Sequence, residues 1–369
     1  MDRMWYPSPK LNHDDDGGRM TAKERVMSTL AHQKPDRPPM QISYTQEFRK
    51  RLQIEYPGLK DIVDPHGIDI ALGCDLLLTG VGWMNSYNQP ESRYIDEWNV
   101  GWRAAEYQTA YGAGRYTEVD THPLSDDAAI SSYRPPDPHR SELYDAAKQL
   151  VAQNGTEYWI TGVVKTTIFE CAWALRGLEQ LMMDFYLDAD VAHAILDIPY
   201  AYHVEAAKHL VEIGVDMIWI GDDVGSQHGM MISPETWRTF LKPRMASFIT
   251  SLRSIRKDIV IAYHSDGVIT PIIDELIEIG VDVLNPIQPN CMDPLTLKKQ
   301  FGSRLSFWGG IDQQQILPFA TPDAVYANTK EMISVLGKDG GYIAGPTHNV
   351  QLDVPLDNLR MMILAITGK

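Results

Sequence analysis

Short apolar, β-branched runs alternate with longer stretches of helical period from about residue 141 to the C-terminus. The runs Tyr158-Trp-Ile-Thr-Gly-Val-Val164, Val215-Asp-Met-Ile-Trp-Ile220, Ile259-Val-Ile-Ala-Tyr-His264, Val281-Asp-Val-Leu284, Leu305-Ser-Phe-Trp308 and Tyr342-Ile-Ala344 read as strands. Helical periodicity fills 141–153, 169–186, 190–213, 234–255, 269–279, 294–301, 322–336 and 355–367. Upstream, Thr21-Ala-Lys-Glu24 is a capping box that predicts a helix to about Ala31, closed by Pro35, Pro38 and Pro39. Met40-Gln-Ile-Ser-Tyr44 follows as a first strand, 46–54 as a helix, and 68–78 holds a further strand. Strands joined to helices by a few residues require a parallel sheet. With close to eight units and no glycine-rich dinucleotide fingerprint, the pattern predicts an α/β (β/α)8 TIM barrel rather than an open doubly wound sheet.

Residues 90–138 depart from that rhythm. Tyr94-Ile-Asp-Glu-Trp98, Val100-Gly-Trp102 and 107–119 alternate and are rich in aromatics, which predicts an antiparallel hairpin insertion closed by Pro135, Pro136 and Pro138. It is a lid whose Trp98 and Trp102 cover a substrate, or an insertion whose tryptophans pack it onto the barrel. Residues 1–19 read as a flexible leader without the apolar core of a signal peptide, and 20–369 as one domain.

Composition narrows the partners. Thirty-three basic against 49 acidic residues give a net charge of −16, which disfavours nucleic acid and anionic membranes. No apolar stretch is long enough to span a bilayer. Cys74, Cys171 and Cys291 form no disulfide framework, which fits a reducing cytoplasm.

The chemistry collects after the late strands. Asp222 and Asp223 follow Ile220; His264 and Asp266 follow Tyr263; Asn285, Gln288 and Cys291 follow Leu284; Asp312 and Gln313 follow Trp308; His348 follows Ala344. In a barrel these loops share one mouth. His264, Asp266 and His348 are a donor set for zinc or another divalent ion, with Asp222, Asp223 or Cys291 beside it. Without a metal, the two histidines would bind a carboxylate substrate and an aspartate would handle protons. Spacing leaves both readings open. His228, Asn285, Gln288, Gln313 and Trp98 are the candidate substrate contacts, and Asp222, Asp223, His264 and Asp266 the candidate catalytic groups. Cys74 and Cys171 read as core. His203 and His209 read as solvated on a polar helical face. Glu170 and Arg176 face the mouth or each other.

Several of these stretches together resemble the uroporphyrinogen decarboxylase superfamily: Gly221-Asp-Asp-Val-Gly-Ser-Gln-His-Gly229 with Ser233-Pro-Glu235, His264-Ser-Asp-Gly267, Asn285-Pro-Ile-Gln288, Trp308-Gly-Gly-Ile-Asp312 and Gly345-Pro-Thr-His348. The entry segment 21–39, with Glu24-Arg-Val26 and Pro35-Asp-Arg-Pro38, is similar too. The resemblance implies a (β/α)8 barrel and one of two activities: cofactor-free tetrapyrrole decarboxylation, or zinc-dependent methyl exchange with a corrinoid protein. Where the decarboxylases carry Arg-Gln-Ala-Gly-Arg, this chain has Met40-Gln-Ile-Ser-Tyr-Thr-Gln-Glu47, without arginine. The methyltransferase branch carries a His-x-Cys and a later Cys as zinc ligands. His264, Asp266 and His348 match those places, with both cysteines replaced by harder donors that suit an oxygen-bearing substrate such as a methyl ether. The resemblance therefore implies a metal-dependent methyltransferase that takes a small molecule and works with a corrinoid protein. A decarboxylase of a carboxylated substrate is the alternative, and a homodimer is left open.

Overall fold

A computed structural model describes residues 20–369; the leader 1–19 falls outside the described residues. Ten strands form two sheets: β1 (Leu76–Gly80), β2 (Arg93–Ile95), β3 (Gly101–Thr109), β4 (Gly112–Thr121), β5 (Trp159–Val163), β6 (Met217–Gly221), β7 (Val260–His264), β8 (Val283–Ile287), β9 (Ser306–Ile311) and β10 (Tyr342–Pro346). The large sheet is parallel, in the order β1-β5-β6-β7-β8-β9-β10. Its two edges are joined by the first predicted strand. The Gln41 amide donates to Ala344 of β10 at 3.1 Å, and the Asp75 amide, just before β1, donates to the Met40 carbonyl at 2.7 Å. This segment pairs only at Met40 and Tyr44, so it occupies the eighth position as extended chain rather than a regular strand. The architecture is the expected TIM barrel.

Alternate inward positions fill the barrel. Leu76, Trp159, Val163, Met217, Trp219, Ala262, Val283, Trp308 and Ile343 form one buried cluster, which Val26 of the first helix closes from below. Outward positions such as Ile218, Ile220 and Ile261 join the larger layer beneath the helices. Trp219 and Trp308, with ring centroids 4.4 Å apart, roof this core and floor the mouth.

The local signals explain the frame. Helix Ala22–Leu30 starts with Thr21 and Glu24 in the reciprocal capping box. Helix Pro234–Phe240 starts on Ser233 with proline in its first turn, and breaks at Leu241 before helix Lys242–Ile255. The stretch 68–78 divides: Gly67–Leu72 is helical and the strand begins at Leu76.

The insertion is a three-stranded antiparallel sheet, β2-β3-β4. It is pinned to helix Ala189–Ile213 by His203, which is fully buried, not solvated. The His203 Nδ1 lies 2.9 Å from the Pro199 carbonyl, and its Nε2 accepts the Trp83 amide at 3.2 Å. Trp98 stacks on His203 and meets Tyr202 edge-on. Trp98 therefore packs the insertion onto the barrel, and its predicted contact with substrate is corrected: none of its surface is exposed. Among the described residues, no helix is long and apolar enough to cross a membrane.

Candidate metal and substrate site

β6 and β7 build the centre of the mouth. Gly221 pairs with His264 in register, so the residues after each strand emerge side by side. The two loops then touch through bare backbone. A Cβ on Gly225 would lie 2.5 Å from the Asp266 carbonyl oxygen, and one on Gly267, at φ +79°, would lie 2.6 Å from the backbone of Ser226. Only glycine permits that approach, and it brings Asp223 over His264 and Asp266.

Donor atoms of Asp223, His264 and Asp266 lie within 4.8 Å of one another. His264 is buried, and its Nδ1 lies 2.7 Å from Asn285 Oδ1. The Asn285 amide nitrogen donates to the Trp308 carbonyl at 3.3 Å, which turns its oxygen toward the imidazole. Nδ1 therefore carries the proton and Nε2 a lone pair. That lone pair faces Asp223 Oδ1 at 3.5 Å. Burial, then the charges of Lys165 and His348, hold the imidazole's pKa well below its usual value, so the ring is neutral. Asp266 Oδ1 is buried with no hydrogen-bond partner. Burial and the neighbouring Asp223 charge push the Asp266 carboxyl up to about 7. The Asp266 amide donates to Asp223 Oδ1 at 2.7 Å, and Gly267 donates to Gln288 Oε1 at 2.7 Å, which fixes the loop.

A divalent ion fits this set. Tetrahedral zinc bonds of about 2.0–2.2 Å put neighbouring ligand atoms roughly 3.4 Å apart. Here two acceptors already face each other at 3.5 Å, and a third is buried without a donor. The donors are hard, one nitrogen and two carboxylates.

Around this centre lie further charged groups. Glu170, in helix Phe169–Arg176, accepts the Asp223 amide at 3.2 Å. Burial, then Asp223 and Asp222, raise its carboxyl well above the usual range. Lys165, just past β5, places its Nζ 4.7 Å from the centre of the Trp219 ring.

The sequence profile of the family described as "Uroporphyrinogen decarboxylase (URO-D)" matches residues 103–368. The chain belongs to the uroporphyrinogen decarboxylase family. Among its relatives, the methylcobamide:CoM methyltransferase MtaA of Methanosarcina barkeri is 27% identical over 177 residues, 48% of each chain. A methylated-thiol–coenzyme M methyltransferase of Methanosarcina mazei is 26% identical over 206 residues, 54% of this chain and 51% of that one. A uroporphyrinogen decarboxylase of Legionella pneumophila is 23% identical over 257 residues, 67% and 69% of the two chains. The chain thus spans about half the length of the two methyltransferases. A solved methyltransferase from Methanosarcina mazei shares the fold, with a TM-score of 0.69 at 19% identity over 95% of this chain and 99% of that one.

Within this family barrel the predicted site residues separate. Asp223, His264 and Asp266 meet. His348 corrects the expected ligand set: it is exposed on the rim beyond β10, three strands from β7, and its nitrogens are not among the clustered donors. Protein still surrounds much of the concave mouth, and burial followed by the Lys165 charge lowers its pKa. Asp222 is not a free catalytic group either. Its carboxylate accepts the amides of Ile168 at 3.0 Å and Glu170 at 2.9 Å, at the start of helix Phe169–Arg176, and burial pushes it up to about 6. Asn285 and Gln288 stand behind the centre as supports. Gln313, past the end of β9, is buried, its backbone amide bonded to Thr347 and its side-chain oxygen unpartnered. His228 is exposed on the outer turn of its loop, bonded through its amide to Ser226. Cys291 donates to Gln288 and is not a ligand. Arg176 pairs with Asp184 and Asp127, away from Glu170.

Sequence reading missed Lys165. Its signal was present: a cation two residues past an all-buried strand, where Asp223 stands after the next one. Trp102, unlike Trp98, lines a cavity of about 460 Å³ between the insertion and helix Phe169–Arg176.

Proposed function

We propose that this chain is a divalent-metal-dependent methyltransferase that moves a methyl group between a small substrate and a corrinoid carried by a partner protein. The observation that carries the reading is the convergence of His264 Nε2 with a carboxylate oxygen each of Asp223 and Asp266, no proton lying between the imidazole lone pair and Asp223 Oδ1 and no donor reaching the buried Asp266 Oδ1. Acceptors so placed repel unless a proton or a cation lies between them. The similarity to two methyltransferases, one of them named for a methylcobamide, supports the methyl transfer and the corrinoid.

Asp223, His264 and Asp266 would hold the ion, which when bound supplies Lewis acidity to the substrate heteroatom that loses its methyl. The chain's own residues do the rest. Asn285 holds His264 in the tautomer that leaves Nε2 free. Asp222 positions Glu170 by accepting its amide at the start of the helix. Glu170, whose carboxyl burial and the charges of Asp223 and Asp222 hold well above the usual range, stands beside Asp223 as the group to exchange a proton with the heteroatom once its methyl has gone. Trp219 and Trp308 close the floor and keep water from the centre.

The second reading is a metal-free decarboxylase. The decarboxylase relative supports it, covering more of the chain than either methyltransferase, and so does the raised carboxyl of Asp266. A substrate with many carboxylates would nevertheless meet a mouth dominated by aspartate and glutamate.

Purification without chelator, metal analysis and a corrinoid assay separate the two. The methyltransferase reading expects one bound divalent ion per chain, its loss in Asp266→Ala, and conversion of cob(I)alamin to methylcobalamin by methyl ethers. Full activity in metal-free protein, with release of carbon dioxide, would establish the decarboxylase.

A further inference from the structure

We propose that Lys165 receives the anionic end of the substrate, so that the site takes a small acid whose methylated heteroatom lies at the far end, over Asp223, His264 and Asp266. This deepens the proposed function and rests on it for what happens at that far end.

Lys165 is half-buried at the mouth. Among the described residues no carboxylate oxygen lies within 4.0 Å of its Nζ. In this chain of net charge −16 the fully buried cations, Arg25 and Arg176, are by contrast each paired with two aspartates. The Lys165 Nζ lies over the face of Trp219, 4.7 Å from the ring centroid. Trp219 also meets the His264 ring edge-on, with centroids 5.6 Å apart. The cation and the candidate ion site therefore stand on the same indole, on an aromatic floor that Trp308 extends. A ligand lying on that floor reaches both.

The backbone supports the placement. Thr166, the next residue, sits at φ +64°, a left-handed conformation that β-branched residues rarely adopt. Its amide is held by the Gly221 carbonyl at 2.6 Å, and Thr167 bonds the same carbonyl. The strain turns the chain sharply after β5 and sets Lys165 toward the mouth instead of into the following helix. An ammonium ion held over an indole face, with no carboxylate oxygen within 4.0 Å and only the more distant carboxyls of Asp266 and Glu170 around it, is suited to a carboxylate, sulfonate or phosphate that arrives with the substrate.

The test uses full-length protein, both zinc-loaded and stripped with EDTA. Calorimetric titrations compare two methyl-ether acids of different reach, 3-methoxypropanoate and 4-methoxybenzoate, each with its neutral amide. At least one acid is expected to bind about tenfold more tightly than its amide. Lys165→Met is expected to abolish that preference and Lys165→Arg to keep most of it, with melting curves confirming that both variants fold. Neither acid outbinding its amide, or Lys165→Met binding the acid as well as wild type, overturns the assignment. Failure of the metal reading looks different: no zinc is retained, yet the preference for the acid persists in both preparations.

Discussion

The His264 Nδ1 and Asn285 Oδ1 lie 2.7 Å apart, buried between β7 and β8, which are paired at these two residues. That bond decides which imidazole nitrogen faces the aspartates. Asn285→Ala leaves Nδ1 without an acceptor, and the other tautomer then gains population. Zinc affinity is expected to fall about 10- to 100-fold, the usual cost of losing such a support. Competition against a chromophoric chelator measures it; unchanged affinity would mean that Asn285 does not orient the ligand.

On the proposed metal reading, acid should expel the ion. In metal-free protein Asp266 holds its proton up to about pH 7, and the ion needs the ionised form. Apparent zinc affinity is therefore expected to drop by up to tenfold per pH unit below 7, with proton release on binding above background at pH 6. The folded-state pKa values of Asp266 and Asp222 are raised, to about 7 and about 6. Their contribution to stability is thus present at low pH and is lost as pH rises through those values. For Asp222, about two pKa units correspond to on the order of 3 kcal/mol. A bound ion offsets the part due to Asp266, so the melting temperature gained by adding zinc should widen from pH 6 to pH 8. A gain that stays constant would disconnect Asp266 from the metal.

The barrel was legible because its signals are local: β-branched runs, the Thr21 capping box, and Ser233 before Pro234. Asp223, His264 and Asp266 were legible as residues just past strand ends. What the sequence hid depends on three dimensions. His348 and Asp223 follow their strands in the same way, but only Asp223 stands on a strand next to β7, so its donor atom, and not those of His348, lies with those of His264 and Asp266. Asp222 precedes Asp223 by one residue and points the other way, to the start of helix Phe169–Arg176. His203 lies on a helix whose outer face is polar, yet the insertion covers it, and a non-local contact of this kind leaves no periodic trace.

The insertion hangs on His203. Burial holds this imidazole's pKa down to about 4, and its two nitrogens serve the Pro199 carbonyl and the Trp83 amide. His203→Ala removes both bonds and the surface on which Trp98 stacks. A loss of about 2–4 kcal/mol is expected. Proteolysis should appear first within β2 to β4, while zinc binding in the surviving folded protein stays near wild type. Equal loss of stability and zinc affinity would show that the insertion shapes the metal centre directly.

Closure of the ring depends on Asp75, which is 1% exposed. Its carboxylate accepts from Arg25 at 2.6 Å, from Arg37 at 2.7 Å and from the Met40 amide at 2.8 Å. One side chain therefore ties the first helix, the loop after it and the segment that joins β10 to β1. Removing it leaves two buried or partly buried guanidinium groups with fewer partners and one buried amide with none. Breaking such a pair from one side costs about 3–5 kcal/mol. Asp75→Ala is expected to lose that much in urea denaturation, and Asp75→Asn less, because its amide oxygen can still accept from Met40 or an arginine. Hydrogen exchange should quicken at Gln41 and Ala344, whose amides pair across the same seam. If those amides stay protected in Asp75→Ala, the barrel is held closed by its apolar interior alone.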